Sequence, residues 1–199
     1  MEDLEVLVDD KPAPLFFVSP GQINFFVPMS APTSGTSEFI VQKKSVGQVI
    51  ASGFISMGPA TPSFFTTSQT GQGAIAALNE DNTVNTPANR VARKGIIQLY
   101  GTGTGFIPNA PPDGVPASGT ALIKTPQNLR VFMGTDEVPQ ENIQFSGLAP
   151  NFVGLWQLNI VIPDKVLPDP AVPLAVLVNG VASTSGSQTG FSTTISVKQ

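Results

Sequence analysis

The chain has 199 residues, a net charge of −4 and 12% charged residues, with 19 Gly, 19 Pro, no Cys and no His. Its length holds one large or two small domains, and a 41% hydrophobic share fills ordinary cores. Lack of Cys and His excludes thiol nucleophiles, imidazole bases, the zinc, haem and copper sites built on them, and any disulfide framework, while ten scattered Lys and Arg leave no basic footprint for nucleic acid.

From the N-terminus, Met1-Glu2-Asp3-Leu4-Glu5 lacks the basic-then-apolar profile of a signal peptide. No apolar run reaches the roughly 20 residues that span a bilayer, so no membrane insertion is expected. Frequent Gly and Pro predict short strands joined by turns. The first strand is expected at residues 4–8. In VSPGQINFFVP, residues 18–28, Ile23, Phe25 and Val27 fall on one face of a strand that a proline ends, and Gln22 and Asn24 on the other. Adjacent Phe16 and Phe17, and Phe25 and Phe26, cannot both face one core, so one of each pair is expected on a second surface or the neighbouring unit. Strands follow at 38–42 and 49–57.

Residues 59–93 read as a linker with short runs at 63–67 and 74–78. Within it, Asn79, Asp81, Thr83 and Asn85 place oxygen-bearing side chains at alternate positions, a candidate calcium site that lacks the glycine and distal Glu of an EF-hand. A solvated hairpin turn is the favoured reading. Strands are then expected at 96–100, 129–133, 174–178 and 192–197. The first of them runs into Gly101, Gly103 and Gly105, read as a tight turn between sandwich strands. Pro108, Pro111 and Pro112 deny it the helix that a phosphate-binding loop requires.

An internal repeat organises these elements. VSPGQINFFVP (18–28) matches VGLWQLNIVIP (153–163) at an offset of 135, and the offset holds from Phe39-Ile40-Val41 to Leu174-Ala175-Val176. Upstream, Val6-Leu7-Val8 matches Val131-Phe132-Met133 at 125, which predicts about ten extra residues in a loop of the second copy. Gln157 and Asn159 repeat Gln22 and Asn24, and Asn is a poor strand former, so each mid-strand pair is expected to bond a nearby loop backbone. The first copy has no counterpart of residues 94–128. The reading is therefore all-β: tandem immunoglobulin-like sandwiches with an incomplete unit at 1–58, the linker at 59–93, and a full unit at 94–199. The gap in the first unit is expected to be closed by the linker on entropic grounds, with a strand from a neighbour as the alternative.

The series APLFFVSPGQINFFVP, NEDNTVNTPAN, IIQLYGTGTGF, FSGLAPNFVGLWQLNIVIP and LAVLVNGVAS resembles the acidobacterial family described as the Solibacter uncharacterised C-terminal domain. The second copy is similar, more loosely, to IPT/TIG domains. The resemblance implies an immunoglobulin-type fold at the C-terminal end of exported proteins, an extracellular or cell-surface address, and no defined catalytic residues.

Two functions are carried forward. The first is a non-enzymatic structural or interaction module that engages a protein partner or itself. The alternative is a glycan-binding module, for which Trp156 and Tyr100 are the candidate stacking residues; core packing is the other reading of Trp156, which shares its face with Leu158 and Ile160. No cofactor is expected. The carboxylate pairs Asp9/Asp10, Glu80/Asp81 and Asp136/Glu137 sit in turn-like stretches and are assigned no acid–base role.

Overall fold

In a computed structural model, which describes residues 3–125, 128–183 and 193–199, the chain is all-β. The strands in chain order are β1 (Leu4–Val8), β2 (Lys11–Ala13), β3 (Leu15–Ser19), β4 (Gln22–Phe25), β5 (Thr36–Lys43), β6 (Gln48–Ser56), β7 (Ser63–Phe64), β8 (Gly73–Ala74), β9 (Ala77–Asn79), β10 (Val91–Ala92), β11 (Ile96–Thr102), β12 (Leu129–Met133), β13 (Asp136–Glu137), β14 (Ile143–Leu148), β15 (Trp156–Val161), β16 (Asp169–Val178), β17 (Val181–Ala182) and β18 (Thr193–Lys198). Among the described residues the one helical piece is a 3-10 turn, Gln140–Asn142. The strands expected from the apolar pattern form, although β4 ends at Phe25 and leaves Val27 outside it and exposed, and β6 ends at Ser56 short of Met57; Ser192, expected to begin the last of them, lies outside the described residues.

Four sheets result. The C-terminal sandwich faces the sheet β10-β18-β16-β12-β13, with β17 on β16 and β8 on β18, against β14-β15-β11-β7, with β9 on β11. Alternation drives this packing: Ile97 and Leu99, Trp156, Leu158 and Ile160, Val131, Leu174 and Val176 point inward and are fully buried, each removing about 1.5–3 kcal/mol worth of apolar surface from water. The N-terminal sandwich is smaller. Its sheet β2-β1-β5-β6 packs Val6, Val8, Phe39 and Val41 against Leu15, Ile23 and Phe25 of the two-stranded β3-β4.

The repeat is preserved down to pairing register. Val6 opposes Val41 and Val8 opposes Phe39; in the second copy Val131 opposes Val176 and Met133 opposes Leu174. Both β3–β4 and β14–β15 carry a bulge, between Leu15 and Phe17 in one and between Ile143 and Phe145 in the other. Those bulges sit at an offset of 128, which corrects the single ten-residue loop insertion. Three residues enter before β14, around the 3-10 turn, and seven in the β14–β15 connection, where the first copy turns tightly between Ser19 and Gln22.

Residues 59–93 do not close the N-terminal unit. β7 and β9 pair with β11, and β8 and β10 pair in parallel with β18, so the stretch read as a linker builds both sheets of the C-terminal sandwich. Its apolar residues decide this: Phe64, Ile75, Ala77 and Val91 enter that larger core, which offers far more buried area than the N-terminal unit does.

Candidate functional site

The polar pair repeated on β4 and β15 forms the same internal bond twice. Gln22 Nε2 donates to Asn24 Oδ1 at 2.7 Å, and Gln157 Nε2 to Asn159 Oδ1 at 2.9 Å. The expected bond to a loop backbone is thereby corrected: residues two apart on a strand share a face, and their amides meet there. The environments differ. Gln157 and Asn159 lie opposite Tyr100 and Gln98 of β11 and are half-buried, whereas Gln22 and Asn24 are exposed, with no strand among the described residues on that side of β4.

Gly101, Gly103 and Gly105 form no turn. Gly101 pairs opposite Phe64 and Thr102 opposite Ser63, and the Thr61 N–H donates to the Gly103 carbonyl at 2.7 Å. A Cβ on Gly101, Gly103 or Gly105 would overlap the backbone oxygens of Ser63, Thr61 and Pro59 respectively. Close backbone approach by residues 59–63, together with positive φ at Gly103 and Gly105, is why glycine stands there.

Trp156 cannot serve as a stacking platform. It is 1% exposed, its indole N–H donates to Ser146 Oγ at 3.0 Å, and its ring stacks on Phe64 at 5.3 Å between centroids. Tyr100 lies on the opposite face of the sheet, partly buried. Its hydroxyl donates to Gln98 Oε1 at 3.3 Å, and burial pushes its pKa up.

The 79–85 segment turns on its own side chains. Asp81 Oδ1 accepts from the Thr83 hydroxyl at 2.6 Å and the Thr83 N–H at 3.0 Å, and those two bonds hold the carboxyl below its usual range. Asn85, 4% exposed, donates to Asn79 Oδ1 and to the Ser196 carbonyl, both at 2.9 Å, and accepts from the Ser196 N–H at 2.8 Å. The oxygens of Asn79, Asp81 and Asn85 thus face donors of the chain, and no group of three or more acidic residues converges among the described residues. Of the other paired carboxylates, Asp9 accepts from the Glu38 N–H at 2.9 Å, Glu137 grips Arg130 at 2.6 Å, and Asp136 lies 3.7 Å from Lys165. A concavity of about 280 Å³ includes Lys124, Gln140 and Phe145 in its lining, with Lys124 its one charged side chain.

What the structure brings forward is an edge that sequence reading did not single out. β6 terminates its sheet, and all nine of its residues are exposed. The Met57 N–H donates to the Gly35 carbonyl; alternation from that bond turns the N–H and C=O of Gly53 and Ile55 toward β5 and leaves those of Ser52 and Phe54 at the free edge. Large apolar side chains stand on it, with Phe54 at 74% exposure and Val49, Ile50 and Ile55 each above half. The available signal was QVIASGFIS itself, which has none of the charges or prolines that blunt solvent-facing edges. Nearby, Phe25 packs on Phe39 at 5.9 Å and Phe26 lies against Gly154 of the other sandwich, as the adjacent-phenylalanine argument requires. Phe16 and Phe17 depart from it, since both are exposed where β3 pairs, among the described residues, with β4 alone. Comparison with family models, curated proteins and solved structures finds no match.

Proposed function

We propose that this chain is a non-enzymatic structural or interaction module of an extracellular or cell-surface protein, built on immunoglobulin-like, IPT/TIG-type sandwiches, which engages a protein partner through uncovered strand edges. One observation carries the reading: β6, nine residues long, presents free backbone groups and apolar side chains with no charge to repel another strand, the arrangement by which strands are added to sheets. The motif resemblance to the acidobacterial C-terminal domain supports the extracellular address. A glycan platform draws no support from Trp156, which is inside the core.

Sedimentation over a range of concentrations, with the chain alone and with strand-forming polypeptides added, tests this. Association with an added strand-forming polypeptide is expected for the wild-type chain and is lost on combining Ile50→Lys with Phe54→Lys. Both side chains are exposed, so the double variant keeps its melting temperature. Association unaffected by these changes, or turnover abolished by a single Asp or Glu substitution, overturns the proposal.

A further inference from the structure

The two sandwiches differ in one systematic respect. In the C-terminal one, residues 59–125 cover three strand edges: β8 and β10 run along β18, β11 runs antiparallel along β15, and the Ile123 carbonyl and Thr125 N–H bond β14 at Leu148 and Ser146. The matching register identifies the counterparts. β4 stands where β15 does and β3 where β14 does; β6 flanks β5 as β18 flanks β16. Among the described residues nothing pairs with the corresponding edge of any of the three counterparts.

The open edges have the chemistry of their covered equivalents. Alternation from the Phe26 N–H, which donates to the Pro14 carbonyl, turns the backbone groups of Ile23 and Phe25 to the free side of β4. Leu158 and Ile160, their counterparts, lie opposite Leu99 and Ile97 of β11. On β6, Ala51, Gly53 and Ile55 oppose Val41, Phe39 and Ser37 and so share the core-facing side, yet they are exposed, because the facing sheet has only two strands and does not reach across. In the C-terminal unit that position is filled, and Ile195 and Val197 of β18 are buried.

We infer that the N-terminal sandwich is an acceptor for a polypeptide segment with the pattern of residues 59–105, supplied by another protein: an antiparallel strand of alternating apolar and polar residues along β4, and short strands along β6. This rests on the interaction reading above and names its partner. A second copy of the chain cannot be the donor, because its own Ile75, Ala77, Ile97 and Leu99 are buried in its own core and withdrawing them would open it. One segment addressing both edges accounts for two exposed features at once, the apolar β6 and the bare polar pair on β4.

The test uses the full chain and, as probe, a polypeptide with the sequence of residues 59–105 on a soluble carrier, read by amide hydrogen exchange. A one-to-one complex is expected in which the amides of Ser52 and Phe54 on β6 and of Ile23 and Phe25 on β4 exchange at least tenfold more slowly. Fusing the same segment ahead of Met1 through a flexible Gly/Ser linker raises its effective concentration to the order of millimolar and should reproduce the pattern. A fused segment carrying Ile97→Asn and Leu99→Asn should not. Unchanged exchange in the fusion overturns the inference. So does equal protection by the Asn-substituted segment. If instead the β6 amides are protected in the chain alone, more so at higher concentration and regardless of the probe, the acceptor inference fails while the general reading of an interaction edge stands.

Discussion

At the scale of single residues, the side chains that look most chemical in the sequence are the ones most occupied by the fold. Asn85 is the clearest case: it bonds both backbone groups of Ser196 and the Asn79 amide, tying the 79–85 turn to β18 across 111 positions of sequence. Asn85→Ala leaves a buried N–H and C=O without partners, and each such group costs about 1–3 kcal/mol, so a loss near 3 kcal/mol is expected in urea unfolding. Asn24→Ala, on an exposed face, should change stability by no more than about 0.5 kcal/mol. Glycines separate in the same way. Gly103→Ala meets the Thr61 backbone at a positive φ and should cost more than about 2 kcal/mol. Gly53→Ala on β6 meets nothing within 4 Å and should be neutral or stabilising by up to about 1 kcal/mol. A destabilised Gly53→Ala variant would mean that the free edge of β6 is packed in solution.

At the scale of elements, the β12–β13 hairpin is held on its exposed side by Arg130, which pairs with both oxygens of Glu137 at 2.8 and 2.6 Å and lies 5.1 Å from the Phe132 ring centre. The pairing lowers the Glu137 pKa. A carboxyl with a depressed folded-state pKa contributes stability that is present above its unfolded value, about 4.3, and lost as pH falls through the folded value. Arg130→Gln should therefore raise the Glu137 titration midpoint seen by NMR and lower stability slightly at neutral pH, where the pair is fully present, with the difference from wild type fading as pH falls through the folded value; an unmoved midpoint would show that the ion pair does not form. Strands with strict alternation, such as β1, β12 and β15, were legible because period-two burial is written directly in the sequence. The short runs at 63–67 and 74–78 were legible as strands, and β7, β8 and β9 form in or beside them; their destination was not, since it depends on which core offers more area, and the two-residue β10 carries no period at all. The glycine series was misread as a turn for a related reason: it records the approach of residues 59–63, a contact 40 positions away from Gly103 and invisible to local pattern. The β6 edge was legible as a strand but not as a site, because exposure depends on the absence of a neighbour.

At the scale of the whole molecule, the duplication yields two bodies of unequal strength. Among the described residues, twenty-two buried apolar side chains form the C-terminal core, against three in the N-terminal one, which leans on half-buried residues and open edges. Small units of this kind bury a lesser share of their surface and are marginal, and parts with few buried contacts open at lower free energy than the rest. The connection between the two is modest: Phe26 sits against Gly154, Pro14 against Gly114, and the Met29 N–H donates to Asp113 at 3.1 Å. Unfolding should accordingly be two-stage, a departure from the single transition usual for one domain. The chain supplies its own reporter, because its one tryptophan, Trp156, is buried in the stronger core against Phe64. Heating followed by far-ultraviolet circular dichroism should show an early loss of strand signal that tryptophan fluorescence does not register, then a later transition seen by both. Val8→Ala, which removes a fully buried side chain of the small core, should lower the first midpoint and leave the second in place. Leu158→Ala should lower the second. A single coincident transition in both probes, shifted alike by either substitution, would show that the contacts around Phe26 and Met29 weld the sandwiches into one cooperative body and that the N-terminal half needs no added strand to be stable.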